Sequence, residues 1–209
     1  MRMKTTKDEI MMVALRLFSQ RGFEAVSTSM IADRLGITKG ALYRHFGNKQ
    51  EIFDSLIARM VELDAKQAEA NKVPAGTFEQ DAASYKTTAF VDLCAFVNEQ
   101  FVFWTENEFA LCFRRMLMLE QYKSEKMNKL YRDVLTGGPV QYTEHLLEEM
   151  ISGGALNEEA KQFGARKLAI VLLAPLMLML QLFDAGEDNE KLKRNLNEVT
   201  TDFSKRWMK

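Results

Sequence analysis

The 209-residue sequence has few of the residues that mark several large classes of protein. Its two cysteines, Cys94 and Cys112, have neither CxxC spacing nor a histidine nearby in sequence, which argues against a disulfide scaffold or a zinc site. Three prolines and no low-complexity run argue against long disordered linkers. The first ten residues are charged and lack the apolar core of a signal peptide, so we expect a cytoplasmic protein.

Patterns that carry catalysis are also scarce. The two histidines are His45 and His145, and neither cysteine has a predicted general base. The sequence contains no phosphate-binding loop, no metal-ligand spacing and no carboxylate pair. We therefore expect no enzymatic activity, no metal and no cofactor, and an enzyme acting on a small molecule stands as the weaker alternative.

Long hydrophobic runs are limited to residues 168–180, LAIVLLAPLMLML. This run has 13 uninterrupted apolar residues, short of the roughly 18 that predict a membrane-spanning helix. We expect a buried or interface helix here, with Pro175 kinking it, and no membrane partner.

Positive charge is concentrated at one end. Residues 1–50 hold nine Lys and Arg against four Asp and Glu, a net charge of +5, whereas the whole chain carries −1. The other 159 residues therefore carry −6. A basic end on an acidic protein is typical of a chain whose end meets a polyanion.

The apolar spacing predicts an all-α protein, because strand-type alternation is nowhere sustained. We expect a small three-helix unit at 1–50 and a larger helical unit at 51–209. Predicted helices lie at 6–21, after a cap at Ser27 or Thr28, at 39–46, and from a cap at Asn48 to about 70. Later helices are predicted at 82–104, 108–121, 124–135, 139–152, 157–184 and 188–207.

Residues 22–49 have the pattern of a helix-turn-helix, with Gly36 free to adopt the left-handed turn between its two short helices. Leu42 and Phe46 form an i, i+4 pair that can pack inward. The other face carries cations, a phenolic hydroxyl and no acid, which suits phosphate oxygens and the edges of bases in a groove. The residues of that face are Lys39, Gly40, Tyr43 and Arg44.

Gly40 is an unfavourable residue one position into a helix, costing about 1 kcal/mol relative to Ala in a helix interior. One explanation is that the missing Cβ lets the helix approach a DNA backbone closely. The other is that a side chain here would clash with the preceding helix. The hydroxyl of Thr38 and the cation of Lys39 stand beside this glycine, but position alone leaves both explanations open.

The stretch FSQRGFEAVSTSMIADRLGITKGALYRHFGNKQEIF (18–53) resembles the DNA-binding region of TetR-type transcriptional regulators. The matching features are LFSQRGF, a Ser/Thr cap, IADRLGI, KGALYRHF and NKQEIF, in this order and spacing. They cover about a quarter of the chain. The remainder agrees only in being helical and of suitable length. The resemblance implies a helix-turn-helix DNA-binding domain at 1–50 and a helical domain at 51–209 for effector binding and dimerisation.

The resemblance implies nine DNA-contacting residues at the starts of the second, third and fourth helices. His45 has an alternative, which is to lie partly under Leu42 and Phe46, and Lys49 could instead be a solvated helix end. The nine are Thr28 and Ser29 against the DNA backbone; Thr38, Lys39 and Gly40 in or beside the major groove; Tyr43, His45 and Lys49 at phosphates; and Arg44 at a base edge.

The segment 90–122 holds eight of the 21 aromatic residues. Most would fill a helical core, and the resemblance implies that some line a cavity for a small effector. With few charges nearby, we expect that effector to be apolar or aromatic. The predicted lining residues are Phe90, Cys94, Val97, Phe101, Trp104, Phe113 and Met116.

The last two helices carry apolar stripes that could pack within the chain or form a four-helix homodimer interface, as the resemblance implies. The predicted interface residues are Leu172, Leu176, Leu180, Leu192, Leu196, Val199 and Phe203.

These features predict a ligand-responsive, homodimeric transcriptional regulator, most simply a repressor that a small effector releases from a palindromic double-stranded operator. The alternative within DNA binding is a dimer that needs no effector and whose helical domain binds another protein.

Overall fold

In the computed structural model, which describes residues 5–209, the chain forms twelve α-helices. Within that range there is no strand, only an isolated bridge between Leu156 and Met208, so the predicted all-α class is confirmed. The basic residues Arg2 and Lys4 lie outside the described range. The helices are α1 Lys7–Arg21, α2 Thr28–Leu35, α3 Lys39–Tyr43, α4 Lys49–Ala70, α5 Ala82–Thr87, α6 Phe90–Glu106, α7 Glu108–Glu120, α8 Glu125–Leu135, α9 Gly137–Ser152, α10 Glu158–Phe163, α11 Ala165–Asp184 and α12 Asn189–Trp207.

The helices group into two compact units. Unit 1 combines the chain up to Leu63 with Glu108–Tyr131, and unit 2 combines Asp64–Asn107 with Arg132–Lys209. This grouping differs from a division at residue 50, because α7 packs against α1 within unit 1. The functional division into 1–50 and 51–209 stays a prediction.

Capping residues fix the helix ends in the helix-turn-helix of unit 1. Ser27 caps α2 by accepting the N–H of Met30, and Thr38 caps α3 by accepting the N–H of Ala41. Gly36 ends α2 in the left-handed conformation, with φ of 65°. These three residues place α2 and α3 across a tight turn, as the sequence predicts.

The third helix is shorter than its prediction of 39–46. It ends at Tyr43, and the chain then turns toward Asn48, whose side chain caps α4 by accepting the N–H of Glu51. The apolar anchor of this turn is intact, because Leu42 and Phe46 are both buried. The N–H groups of His45 and Phe46 both donate to the carbonyl of Leu42, so the chain turns after α3 without continuing the helix.

Unit 2 is built around α6, against which both α11 and α12 pack. The predicted helix 82–104 is divided into α5 and α6 by Thr88 and Ala89. The predicted helix 157–184 is divided into α10 and α11 by Gly164, whose φ of 92° cannot continue a helix. Periodicity alone did not reveal either break.

The predicted dimer-interface set is wrong for six of its seven residues, because unit 2 buries them itself. They form the faces of α11 and α12 that pack on each other and on α6. Only Val199 is exposed, at 44%. An apolar stripe at helical spacing identifies a covered face but not the molecule that covers it. The six buried residues are Leu172, Leu176, Leu180, Leu192, Leu196 and Phe203.

Among the described residues, α11 is the one helix long and apolar enough to cross a membrane, with a mean hydropathy of 1.8 over its best window. A single such helix is weak evidence for a membrane span, because a core helix of a folded domain has the same composition. Pro175 lies inside this helix, which continues through it from Ala165 to Asp184.

Candidate nucleic-acid interface

The nine predicted DNA-contacting residues lie on α2, on α3 and the residues that flank it, and at the start of α4, all within unit 1. Four of them are half-buried: Thr28, Ser29, His45 and Lys49. The other five are exposed. They are the predicted phosphate contact Tyr43 and the four residues predicted in or beside the major groove, Thr38, Lys39, Gly40 and Arg44.

Thr28, Tyr43 and Lys39 form a small polar constellation that joins α2 to α3. The hydroxyls of Thr28 and Tyr43 lie 3.2 Å apart, within hydrogen-bond distance. The ammonium of Lys39 lies 5.7 Å from the centre of the Tyr43 ring, within the range of a cation–π contact. The side chain of Tyr43 thus has contacts to a hydroxyl and a cation, while 42% of its surface stays exposed. Such a group can donate to a phosphate oxygen without first being ordered.

Gly40 faces open space. A Cβ built at this position would meet only the hydroxyl of Thr38, at 4.0 Å, which is an ordinary contact. The clash explanation for this glycine is therefore wrong, since α2 leaves room for a side chain. Close approach to DNA as the reason for this glycine stays a prediction.

Arg44 and His45 follow directly after α3. Arg44 ends the helix and is exposed, so its guanidinium can reach outward. His45 is half-buried, and its N–H donates to the carbonyl of Leu42. The half-burial of His45 agrees with the alternative in which the residue lies partly under Leu42 and Phe46. A role at a phosphate stays a prediction.

Lys49 has a structural task that the sequence did not reveal. Its ammonium donates to the carbonyl of Phe23 at 2.7 Å and lies 4.2 Å from the centre of the Phe23 ring. It is therefore not a solvated helix end. Its predicted phosphate contact would have to be made alongside these two interactions, since an ammonium has three donors.

The seven predicted pocket residues are all buried, five on α6 and two on α7. Phe113 and Met116 have no exposed surface. Burial of this kind is typical of a core, so their role as an effector lining stays a prediction. A surface pocket of about 460 Å³ lies elsewhere, between the end of α9 and the start of α10, with Ser152, Asn157 and Lys161 among its lining residues.

Sequence reasoning also missed an aromatic cluster in unit 2. Tyr85 and Tyr142 lie 5.6 Å apart between ring centres, and Phe78 packs edge-on against Tyr85. The two hydroxyls donate to the carbonyls of Gly76 and Pro74, which ties down the segment after α4. Burial raises the pKa of Tyr85 to about 12. These residues are spread over 65 positions, so no local pattern could have grouped them.

Residues 10–56 match the family model described as bacterial regulatory proteins, tetR family. The match covers α1 to α3 and the first turns of α4, and so includes the exposed surface described above. This region of the chain is similar to the tetR family of bacterial regulatory proteins. Its helix-turn-helix therefore has the residues, the spacing and the geometry of one defined group of regulators.

Curated relatives share this N-terminal region. The transcriptional regulator AcrR of Shigella flexneri is 45% identical over 51 residues, which is 24% of each chain. The nucleoid occlusion factor SlmA of Haemophilus ducreyi is 31% identical over 70 residues, 33% of this chain and 35% of that protein. The alignments thus span about a quarter to a third of these relatives.

Among solved structures, the complex of SmeT with triclosan is similar over nearly the whole chain. The alignment covers 97% of this chain and 91% of the SmeT chain, with a TM-score of 0.70 and 18% identity. At this identity the likeness shows a shared fold, an N-terminal helix-turn-helix followed by a helical domain.

Proposed function

We propose that the protein is a DNA-binding transcriptional regulator that reads operator DNA with α3 and anchors it with the start of α2. The observation that carries this proposal is the exposed constellation of Lys39, Tyr43 and Thr28 beside the open backbone at Gly40. A cation, a pair of hydroxyls and an unobstructed helix start can bind phosphate oxygens and the edges of bases in a groove. The family match over residues 10–56 supports it.

The charge distribution supports the same partner. The exposed face of α3 holds Lys39 and, just beyond it, Arg44, with no acid in the helix. Arg44 is the proposed reader of a guanine edge, because a guanidinium can donate two parallel hydrogen bonds there. The acidic remainder of the chain would be repelled by the phosphates, so the basic end would orient the protein on DNA.

We propose that the protein works as a homodimer through the outward face of α11. Exposed apolar residues recur at helical spacing on this face, opposite the face that packs on α6. Two copies of such a stripe would cover each other around a two-fold axis. Val199 of α12 would add to the contact. The stripe consists of Ile170, Val171, Ala174 and Leu178.

In a two-fold dimer the two α3 helices would enter successive major grooves, roughly 34 Å or a multiple of that apart, on a near-palindromic operator. A repressor of this kind would leave DNA when an effector in the helical domain shifts α4 and with it the spacing of the two reading helices. By linkage, effector and operator would weaken each other's binding by the same factor.

Selection of bound fragments from random duplex DNA tests the DNA-reading function. We expect an enriched motif with two-fold symmetry whose half-sites lie one helical turn or a multiple apart. Failure to enrich any motif, with binding that depends on salt alone, would show a nonspecific DNA binder.

The proposed effector is a small apolar or aromatic compound. SmeT has been solved with triclosan, a finding about that protein that makes this chemical class a reasonable one to screen first. A compound that occupies a pocket should raise the melting temperature, by an amount that grows with its concentration. If compounds of this class give no shift, an effector of this chemistry is excluded.

A second candidate is a DNA-binding dimer that needs no effector and whose helical domain binds another protein. The match to SlmA favours it, since that relative is named for nucleoid occlusion rather than for transcription. Selected genomic fragments separate the two: binding upstream of genes indicates regulation of transcription, and sites scattered without regard to promoters indicate the second candidate.

A further inference from the structure

The turn between α1 and α2 is held by polar contacts on both sides of one residue, Phe23. Its N–H donates to the carboxylate of Glu120, at 2.8 Å, and its carbonyl accepts the ammonium of Lys49, at 2.7 Å. Glu120 ends α7 and Lys49 begins α4. We call these three residues the Phe23 clamp. All of them belong to unit 1.

The carboxylate of Glu120 makes this contact from inside the fold. Its side chain is only 3% exposed, so it must be satisfied by the protein. One oxygen, Oε1, accepts both the N–H of Phe23 and the ammonium of Lys123, the latter at 2.7 Å. A buried carboxylate on a backbone N–H forms a short, charge-assisted hydrogen bond, which fixes position more tightly than a neutral one.

Gly22 shows how closely α7 approaches this turn. A Cβ at Gly22 would lie 2.7 Å from Oε1 of Glu120 and 2.5 Å from the ammonium of Lys123. Its φ of 80° also lies in the region that side chains avoid. The glycine therefore serves both the turn and the approach of the carboxylate.

The ring of Phe23 is fixed as well. It packs edge-on against Phe18 of α1 and Phe53 of α4, with ring centres 5.2 and 5.0 Å apart. The ammonium of Lys49 lies over its face at 4.2 Å. The ring and both backbone polar groups of Phe23 are thus held by contacts to α1, α4 and α7.

From Phe23 a short path leads to the DNA-reading surface. The N–H of Val26 donates to the carbonyl of Phe23, and the next residue, Ser27, caps α2. The next residue is Thr28, whose hydroxyl meets that of Tyr43 on α3. A displacement of Phe23 would therefore shift the start of α2 and the tyrosine that it supports.

We propose that Glu120 is a positioning residue for DNA reading. It holds Phe23, and through Phe23 it keeps Thr28 and Tyr43 in the positions that operator binding needs. This inference rests on the proposed DNA-reading function. It adds a residue of α7, 97 positions from Phe23 and outside the matched region 10–56, to the machinery of sequence recognition.

The test measures discrimination, the ratio of affinities for the selected duplex and for an unrelated duplex of equal length. Glu120→Ala removes the acceptor of the Phe23 N–H. We expect discrimination to fall about tenfold, because phosphate contacts that have lost their register no longer place Arg44 at its base, while the cations still bind any sequence. Glu120→Gln keeps an amide oxygen in place and should restore most of it. Measurements are made at a temperature where each variant is fully folded.

Lys123→Ala is the matched control, because it removes the other partner of Glu120 and leaves the Phe23 N–H bond intact. We expect its discrimination to stay within about twofold of wild type. A loss as large as that of Glu120→Ala would overturn the proposal, because the ion pair and not the backbone bond would then be responsible.

A purely structural Glu120 would lower the melting temperature and leave the discrimination of the folded protein unchanged, and that result in Glu120→Ala also overturns the proposal. If this variant does not fold, Glu120→Asp tests the same bond, because it keeps the charge but is one methylene too short. We expect a loss of about threefold or more in the folded Asp variant, and wild-type discrimination would contradict the proposal.

The outcome also separates this inference from the proposed function. If the wild-type protein shows no preference for any duplex, the DNA-reading function itself fails. If wild type discriminates and Lys39→Ala/Tyr43→Ala loses discrimination while Glu120→Ala keeps it, only the role of Glu120 fails.

Discussion

At the scale of single residues, the most informative position is one without a side chain. Gly40 costs helix stability and relieves no clash, because a Cβ there would have room. A residue that is locally unfavourable and structurally unnecessary points to a requirement outside the folded chain. Lys49 has a structural contact that its place in the motif does not reveal, because its ammonium donates to the carbonyl of Phe23.

Gly40→Ala should therefore separate stability from binding. We expect the free energy of unfolding to rise by up to about 1 kcal/mol, because Ala is the better helix former. Operator affinity should fall, because the added methyl group occupies the space left for DNA. Thermal melting and operator titration measure the two effects. An alanine variant that binds as tightly as wild type would show that close approach at this position is unnecessary.

The two cysteines should differ in reactivity. Cys94 is 5% exposed, and burial raises the pKa of its thiol to about 12, so almost no thiolate exists at pH 8. Cys112 is half-buried. We expect a disulfide reagent to modify Cys112 first, and Cys112→Ser to abolish the fast phase. A fast phase that survives this substitution would place Cys94 at an accessible surface.

At the scale of elements, short helices depend on their ends. The helix α3 has only five residues, and its start is secured by the hydroxyl of Thr38 on the N–H of Ala41. A helix of this length has no stability of its own in water. The cap and the buried Leu42 therefore determine whether the reading helix exists.

Thr38→Ala should lower the free energy of unfolding by about 1 kcal/mol through loss of the cap. Thr38→Ser is the matched control, because it keeps the hydroxyl and should stay close to wild type. Denaturant titration gives both values. Equal stability of the Ala and Ser variants would show that the cap contributes nothing.

At the scale of the whole molecule, α11 has two apolar faces that differ in exposure. Leu172 and Leu176 are buried inside unit 2, whereas Ile170 and Leu178 are about half exposed, at 48% and 52%. The sequence showed that this helix is apolar all round. It could not show which stripe the chain covers for itself, since that depends on α6 and α12.

Ile170→Glu/Leu178→Glu should convert the proposed dimer to a monomer with little loss of helix content, because charges would be buried at the interface. Leu196→Ala is the contrasting variant: it opens a cavity in the core and should cost about 2–5 kcal/mol of unfolding free energy without changing the oligomeric state. Sedimentation and denaturant titration distinguish them. A Glu/Glu variant that sediments as wild type would exclude this face.

Much of the reading surface could be predicted from the sequence, because caps, turn glycines and the i, i+4 pair of Leu42 and Phe46 are local signals. The long-range contacts could not. Glu120 meets Phe23 across 97 positions, and Tyr142 meets Pro74 across 68. Such contacts leave no periodic trace, so only the folded chain reveals them.

The central claim is that the surface formed by Lys39 and Tyr43 reads DNA. The most direct measurement is binding of the selected duplex by Lys39→Ala/Tyr43→Ala as a function of salt. A matched control, Lys126→Ala/Tyr122→Ala, removes the same residue types from exposed positions outside the motif. We predict that the first variant loses specific binding and has a shallower salt dependence, while staying folded and in the same oligomeric state as wild type and control. Tight binding with an unchanged salt slope would contradict the assignment.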